Sequence, residues 1–340
     1  MPTLSGPANL GMGAVEIEAF KPSEFDLIAS LFAPLTCGDK RALGLLDDAA
    51  ILPEKTGYET VVTTDTMVSG IHFLNTETPD VIARRLLRVN LSDMASMGAK
   101  PTGYFLNLTL PAEIGKDWLI SFAGGLSADQ MQFNICLLGG DTTHSENDLT
   151  LTATFIGEVP VGRAITRSGA SLGDNVYVSG TVGDAMLGLR QLKSGKARAK
   201  ELISRFQLPE PRVSLGFALR GVASAMADVS DGLVADIGHI CRASKVSAMI
   251  FGDKVPLSPG VSENICGGEL ILADVLAAGD DYELVFTAPP NAADKISDAS
   301  RSTGVTVTRI GTIARDAENV KVVDSSGVEI LLKTQGYRHF

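Results

Sequence analysis

The chain has 340 residues, enough for about two domains at roughly 150 residues each. Hydrophobic residues make up 45% and charged residues 20%, a balance that excludes a wholly disordered chain. Forty acidic residues against 29 basic ones give a net charge of −11, which disfavours a nucleic-acid partner, and no apolar run approaches the ~18 residues of a membrane span.

Residues 1–19 lack the basic start and apolar core of a secretory signal and read as a flexible tail. The four cysteines, Cys37, Cys136, Cys241 and Cys266, lie far apart with no CxxC pair, which suits free thiols in a reducing cytoplasm. The first element is a short helix over 24–32. A strand follows over 59–66, where ETVVTTDT is dense in β-branched residues. Thr78 as cap, Pro79 in the first turn and Asp80 at the positive end start a helix. It runs through Ile82, Leu86, Leu87 and Leu91 and stops near Gly98. A strand (104–110), a helix (117–131) and two strands (134–138, 149–156) complete the first half. Residues 157–173, with Gly and Pro, form the junction. Beyond it the pattern predicts strands over 175–179, 282–287, 305–310 and 320–323, and helices over 184–192, 212–222 and 233–241. Two α+β halves imply a cleft between two domains. The expected division is a tail (1–20), an N-terminal domain (21–158) and a C-terminal domain (159–340).

The carboxylates carry the chemical information. Asp47 and Asp48 lie between apolar runs in LGLLDDAAIL, and Asp65 ends a strand after Thr63 and Thr64. Asp141 follows Gly139-Gly140, and Asp228 and Asp231 flank Val229-Ser230. Each one alone reads as an ordinary cap or turn residue. Asp93 is harder to dismiss, because it shares a helical face with Asn90 and Met97 among apolar neighbours. A buried, unpaired carboxylate costs on the order of several kcal/mol. Arg84, Arg85 and Arg88 lie further back and read as solvated. A hard divalent cation such as Mg²⁺ suits carboxylate and hydroxyl oxygens. Several aspartates converging on one cleft would let an acidic protein hold a nucleoside triphosphate. GxxxxGK[ST], GxGxxG after a strand and HExxH are all absent, which disfavours a P-loop NTPase, a Rossmann dehydrogenase and a zinc hydrolase.

Eight blocks in order then carry a resemblance: GLLDDAAIL, TTDTMVSGIHF, NLSDMASMGAKP, LLGGDTT, GRAITRSGA followed by VSGTVGDA, DVSDGLVADIGHI, GDDYELVFTAP and a terminal GYRHF. From about residue 24 to 340 the chain closely resembles the thiamine-monophosphate kinase family, in the superfamily of aminoimidazole ribonucleotide synthetase and selenophosphate synthetase. The resemblance implies a two-domain α/β (α+β) fold of that superfamily. It would have an N-terminal mixed sheet with flanking helices and a C-terminal α+β domain. It implies ATP-dependent, in-line phosphorylation of thiamine monophosphate to thiamine diphosphate, chemistry that asks mainly for positioning and charge neutralisation. It further implies several Mg²⁺ ions held by Asp48, Thr63, Thr64, Asp65, Asp93, Asp141, Asp228 and Asp231. Asp65, Asp93 and Asp141 would be central to catalysis. Gly140, Asp141, Arg167 and Ser230 would contact ATP, and His72, Asp280 and Thr334 would contact thiamine monophosphate. A cytoplasmic homodimer joined through the N-terminal domains completes the expectation, with neither nucleic acid nor membrane as partner.

Three positions depart from the family pattern. Leu46 replaces a glycine, Asp280 a longer glutamate, and Thr334 an aromatic residue. Two alternatives remain at this point. One is another ATP-dependent synthetase of the superfamily; the other is a non-catalytic nucleotide-binding regulator. No cysteine stands in the glycine-bearing N-terminal segment or at the C-terminus, where two of the related synthetases carry one.

Overall fold

The computed structural model describes residues 24–47, 49–195, 199–315, 319–332, 334, 336 and 337. The tail over 1–20 and Asp48 lie outside them.

A helical start, α1 (Glu24–Leu27), runs on through a π-helical turn and 3₁₀ turns to Leu45. Then come β1 (Tyr58–Val68), α2 (Pro79–Ser96), β2 (Lys100–Pro111), α3 (Lys116–Phe133), β3 (Leu137–Ser145) and β4 (Thr150–Pro160). The four strands form one sheet in the order β1-β4-β2-β3, with β3 parallel to β2 and the other pairs antiparallel. α2 and α3 cover one face, and Leu86, Leu91, Phe122 and Phe155 are fully buried between them and the sheet. In β1 the odd positions, including Thr63, Asp65 and Met67, turn toward this core, while Val62, Thr64 and Thr66 are exposed on the outer face.

Thr78 stands at the N-cap of α2, as the sequence suggests, but its side chain makes no capping hydrogen bond. The strand expected over 134–138 begins later and runs further. Asn134 ends α3 in a left-handed conformation (φ 52°), and β3 continues through the polar GGDTTHS. Gly140 explains why pairing persists: a Cβ there would stand 1.9 Å from the Leu106 carbonyl oxygen.

The second half contains β5 (Asn175–Ser179), α4 (Asp184–Ser194), α5 (Lys200–Gln207), α6 (Val213–Ala218), β6 (Ala225–Asp228), α7 (Leu233–Ser244) and β7 (Ser247–Phe251). α8 (Pro259–Cys266), α9 (Leu272–Leu276), β8 (Leu284–Ala288), α10 (Ala293–Thr303), β9 (Val307–Ala314) and β10 (Val320–Val323) complete it. Its sheet has the order β10-β7-β9-β5-β8-β6. One apolar cluster packs α7 against this sheet, and another joins α6 and α10 to Tyr177 and Phe286. Ala95 of α2 belongs to the second cluster, and a Cβ on Gly216 of α6 would lie 2.1 Å from the Ala95 carbonyl oxygen. α2 is therefore buried by both halves, and its polar residues stand at their boundary.

Candidate active site

α2 and β1 supply the first part of the site. Thr63 Oγ1 donates to Asp93 Oδ2 at 2.5 Å. One residue earlier on α2, Ser92 Oγ donates to Asp228 Oδ2 at 2.8 Å, with both side chains buried. Asp228 ends β6, so this bond crosses between the halves. Asp65 is pushed up to about 7 by burial and then by the charge of Asp93. Asp93 is itself raised by burial, against the Thr63 hydrogen bond and the positive charge of Arg167. Burial lifts Asp228 well above the ordinary carboxylate range, and the charges of Asp93 and Asp236 add to it. The sequence-derived candidates Thr63, Asp65, Asp93 and Asp228 thus meet in one acidic focus within reach of Arg167. Thr64 turns the other way: its hydroxyl meets Thr154 Oγ1 at 3.0 Å and donates to the Ala153 carbonyl at 3.2 Å.

Two loops of the second half close around this focus. The Asp280 amide donates to the Ser230 carbonyl and the Tyr282 amide to that of Val229, at 2.9 and 2.8 Å. Asp280 and Tyr282 both take positive φ, 72° and 52°, a strained backbone for non-glycine residues. Gly279 permits the contact, since a Cβ there would lie 2.1 Å from the Ser230 carbonyl oxygen. Asp236 Oδ2 accepts the amides of Ser230, Asp231 and Gly232, each at 3.1 Å. This leaves the half-exposed Asp231 carboxylate to act, with His239 Nε2 3.8 Å from it.

Between the halves lies a cavity of about 670 Å³, lined by Asp65, His72, Ser230, Asp231 and Asp280. His72 Nδ1 accepts the Val68 amide at 3.0 Å, so the ring is held in place. Arg85, Tyr282 and Tyr337 also line the cavity, and sequence reasoning missed all three. The signal for Arg85 was available: residues 85, 89 and 93 repeat at helical spacing, which puts it on the face of Asp93. Thr334 is exposed; among the described residues near the C-terminus, Tyr337 brings an aromatic ring to the cavity.

Asp141 stands elsewhere. It lies on β3, paired with Asn107 of β2, at the sheet edge opposite β1, and is exposed. Three strand spacings separate the two edges, about 14 Å. With Gly140 and Asp47 it lines a separate cavity of about 590 Å³.

The donor set fits a hard divalent cation. It offers carboxylates and hydroxyls, with several buried negative charges that repel one another and Arg167 as the positive charge near them.

Comparison with known proteins agrees with this geometry. Residues 46–159 match the N-terminal domain of AIR synthase related proteins, and residues 172–324 match the C-terminal domain. A thiamine-monophosphate kinase of Caulobacter vibrioides is 46% identical over 300 residues, 86% of this chain and 84% of that protein. The crystal structure of a thiamine-monophosphate kinase from Stenotrophomonas maltophilia superposes with a TM-score of 0.79 at 40% identity, covering 86% of this chain and 96% of that one. AaThiL complexed with AMPPCP and TMP superposes with a TM-score of 0.75 at 28% identity, covering 93% and 97%. With the fold, the acidic focus and these relatives in agreement, the chain belongs to the AIR synthase related proteins and, within them, to the thiamine-monophosphate kinase family.

Proposed function

We propose that the interdomain cleft transfers the γ-phosphoryl group of ATP to thiamine monophosphate at a multi-magnesium site, yielding thiamine diphosphate and ADP. The observation that carries this reading is the focus of Asp65, Asp93 and Asp228, three inward carboxylates all raised by burial, with the charge of Asp93 adding to the other two. A monophosphate oxygen, largely ionised near pH 7, attacks the γ-phosphorus in line, and the bond to the ADP oxygen breaks. No protein base has to remove a proton from it. Asp65, Asp93 and Asp228, with Asp231 from the second half, would hold Mg²⁺, and the Thr63 hydroxyl orients Asp93. Bound Mg²⁺ supplies the positive charge that lets two phosphorylated molecules approach. Arg167 adds donors for phosphate oxygens. Ser230 stands at the ATP side, while His72, Asp280 and Thr334 belong to the substrate side. The first half (21–158) supplies most of the acidic focus, and the second (159–340) closes the cleft.

The enzyme acts as a homodimer through the outer face of the four-stranded sheet. Val62 is 58% exposed there, among threonines. Asp141 lies on this side, beyond the reach of its own Asp93, and so serves a metal–nucleotide site across the interface together with Gly140 and Asp48. A reducing cytoplasm suits the four free thiols.

A coupled ADP-release assay tests the reading. ADP formation that requires thiamine monophosphate and rises with Mg²⁺ supports it. Tight ATP binding without turnover of thiamine monophosphate would leave the regulator as the better description.

A further inference from the structure

Arg85 reaches from α2 into the second half. Its side chain is 3% exposed, and its guanidinium lies 4.2 Å from the centroid of the Phe206 ring. Nη2 donates to Asp280 Oδ1 at 2.9 Å, and the Tyr282 hydroxyl donates to the same oxygen at 3.3 Å. Nη1 is buried and has no hydrogen-bond partner among the described residues, although Arg85 lines the interdomain cavity. A buried donor on a charged group is costly to leave unpaired, so the open position at Nη1 suits an acceptor on a bound molecule.

We infer that Arg85 is a substrate-recognition residue whose Nη1 donates to a ring nitrogen of the substrate's aminopyrimidine, beside Asp280, whose second oxygen accepts from the ring's amino group. This rests on thiamine monophosphate being the substrate, as proposed above. Two observations favour the heterocycle over the phosphate. Asp280 already balances the guanidinium charge, so a phosphate placed here would meet a carboxylate. Arg85 also precedes Asp93 by eight residues on one helical face, about 12 Å along the axis. A molecule whose phosphate lies at Asp93 would have its far end here. The thiazolium ring is cationic and offers a guanidinium no good acceptor. The amidine edge of an aminopyrimidine offers an acceptor beside a donor, complementary to the donor of Arg85 beside the acceptor of Asp280.

The experiment compares thiamine monophosphate with an analogue in which CH replaces the pyrimidine nitrogen next to the amino-bearing carbon. In the wild-type protein the analogue's KM should be about 10- to 100-fold higher, the worth of a hydrogen bond to a charged group. Arg85→Met should raise KM for thiamine monophosphate by a similar factor, keep KM for ATP within about twofold, and no longer distinguish the two substrates. Equal KM values for both substrates in the wild-type protein would overturn the assignment, as would undiminished discrimination by Arg85→Met. The wild-type arm decides even where the variant fails to fold. Wild-type protein that leaves thiamine monophosphate itself unphosphorylated would remove the kinase reading, a result distinct from loss of discrimination.

Discussion

Ser92 Oγ donates to Asp228 Oδ2 at 2.8 Å across the boundary of the two halves, one residue from Asp93. The bond ties the helix of the acidic focus to the end of a strand in the other sheet. Ser92→Ala leaves a buried carboxylate without this donor. It should lower stability by about 1–3 kcal/mol and weaken Mg²⁺-dependent ATP binding. Thermal melting and calorimetric titration on one preparation would check both; a variant unchanged in both would mean the bond contributes nothing.

Asp93→Asn should separate activity from stability. Turnover should fall by about 10²–10³-fold, the scale of losing a principal electrostatic group. Without metal, the variant should melt a few degrees higher, because a buried like charge has been removed beside Asp65 and Asp228. A lower melting point in metal-free buffer would contradict the repulsion inferred at the focus.

The pH dependence follows from carboxylates buried at the focus and elsewhere, in the second half. Asp65, Asp236 and Asp281 each move from an ordinary 3.8 to about 7 in the folded chain, with burial the largest cause in every case. Between those values the folded protein keeps protons that the unfolded chain releases. This contribution to stability is complete below about 4 and is lost as pH rises through 7. Metal-free protein should therefore melt lower at pH 8 than at pH 5.5. Mg²⁺ with ATP should reduce the difference, since ions compete with protons for the carboxylates. A metal-free melting point that climbs over this range would refute the sign.

The position of Asp141 yields a mixing test. On the proposed homodimer with a site shared between protomers, Asp93→Asn and Asp141→Asn should each be nearly inactive alone. Co-expressed in equal amounts they should recover roughly a quarter of wild-type activity, because half the dimers carry one intact composite site. No recovery, with mixed dimers confirmed by mass spectrometry, would put Asp141 to work within its own protomer.

Much of the first half was legible because its signals are local. Tyr58–Val68 is dense in β-branched residues, and α2 announces itself through Pro79, Asp80 and a long apolar face. β5 and β10 were read to the residue. The short strands β6 and β7 were missed: Ala225–Asp228 reads AMAD, a helix-favouring composition made into a strand only by its pairing with β8. Asp65, Asp93 and Asp228 stood out individually, but their meeting depends on α2 lying between two sheets, which no spacing encodes. Arg85 shares its helical spacing with Asp93, but that spacing alone does not single it out. Its neighbours Arg84 and Arg88 are tied to Asp129, and the three arginines look alike in sequence.

The three amides of Ser230, Asp231 and Gly232 converge on Asp236. Many nucleotide enzymes offer such a main-chain cradle to the triphosphate; here a side chain of the protein itself already fills it. On the proposed multi-magnesium reading, the neutralising charge beyond Arg167 comes from solution, so throughput should follow the supply of free divalent ions and register their depletion before any shortage of nucleotide is felt.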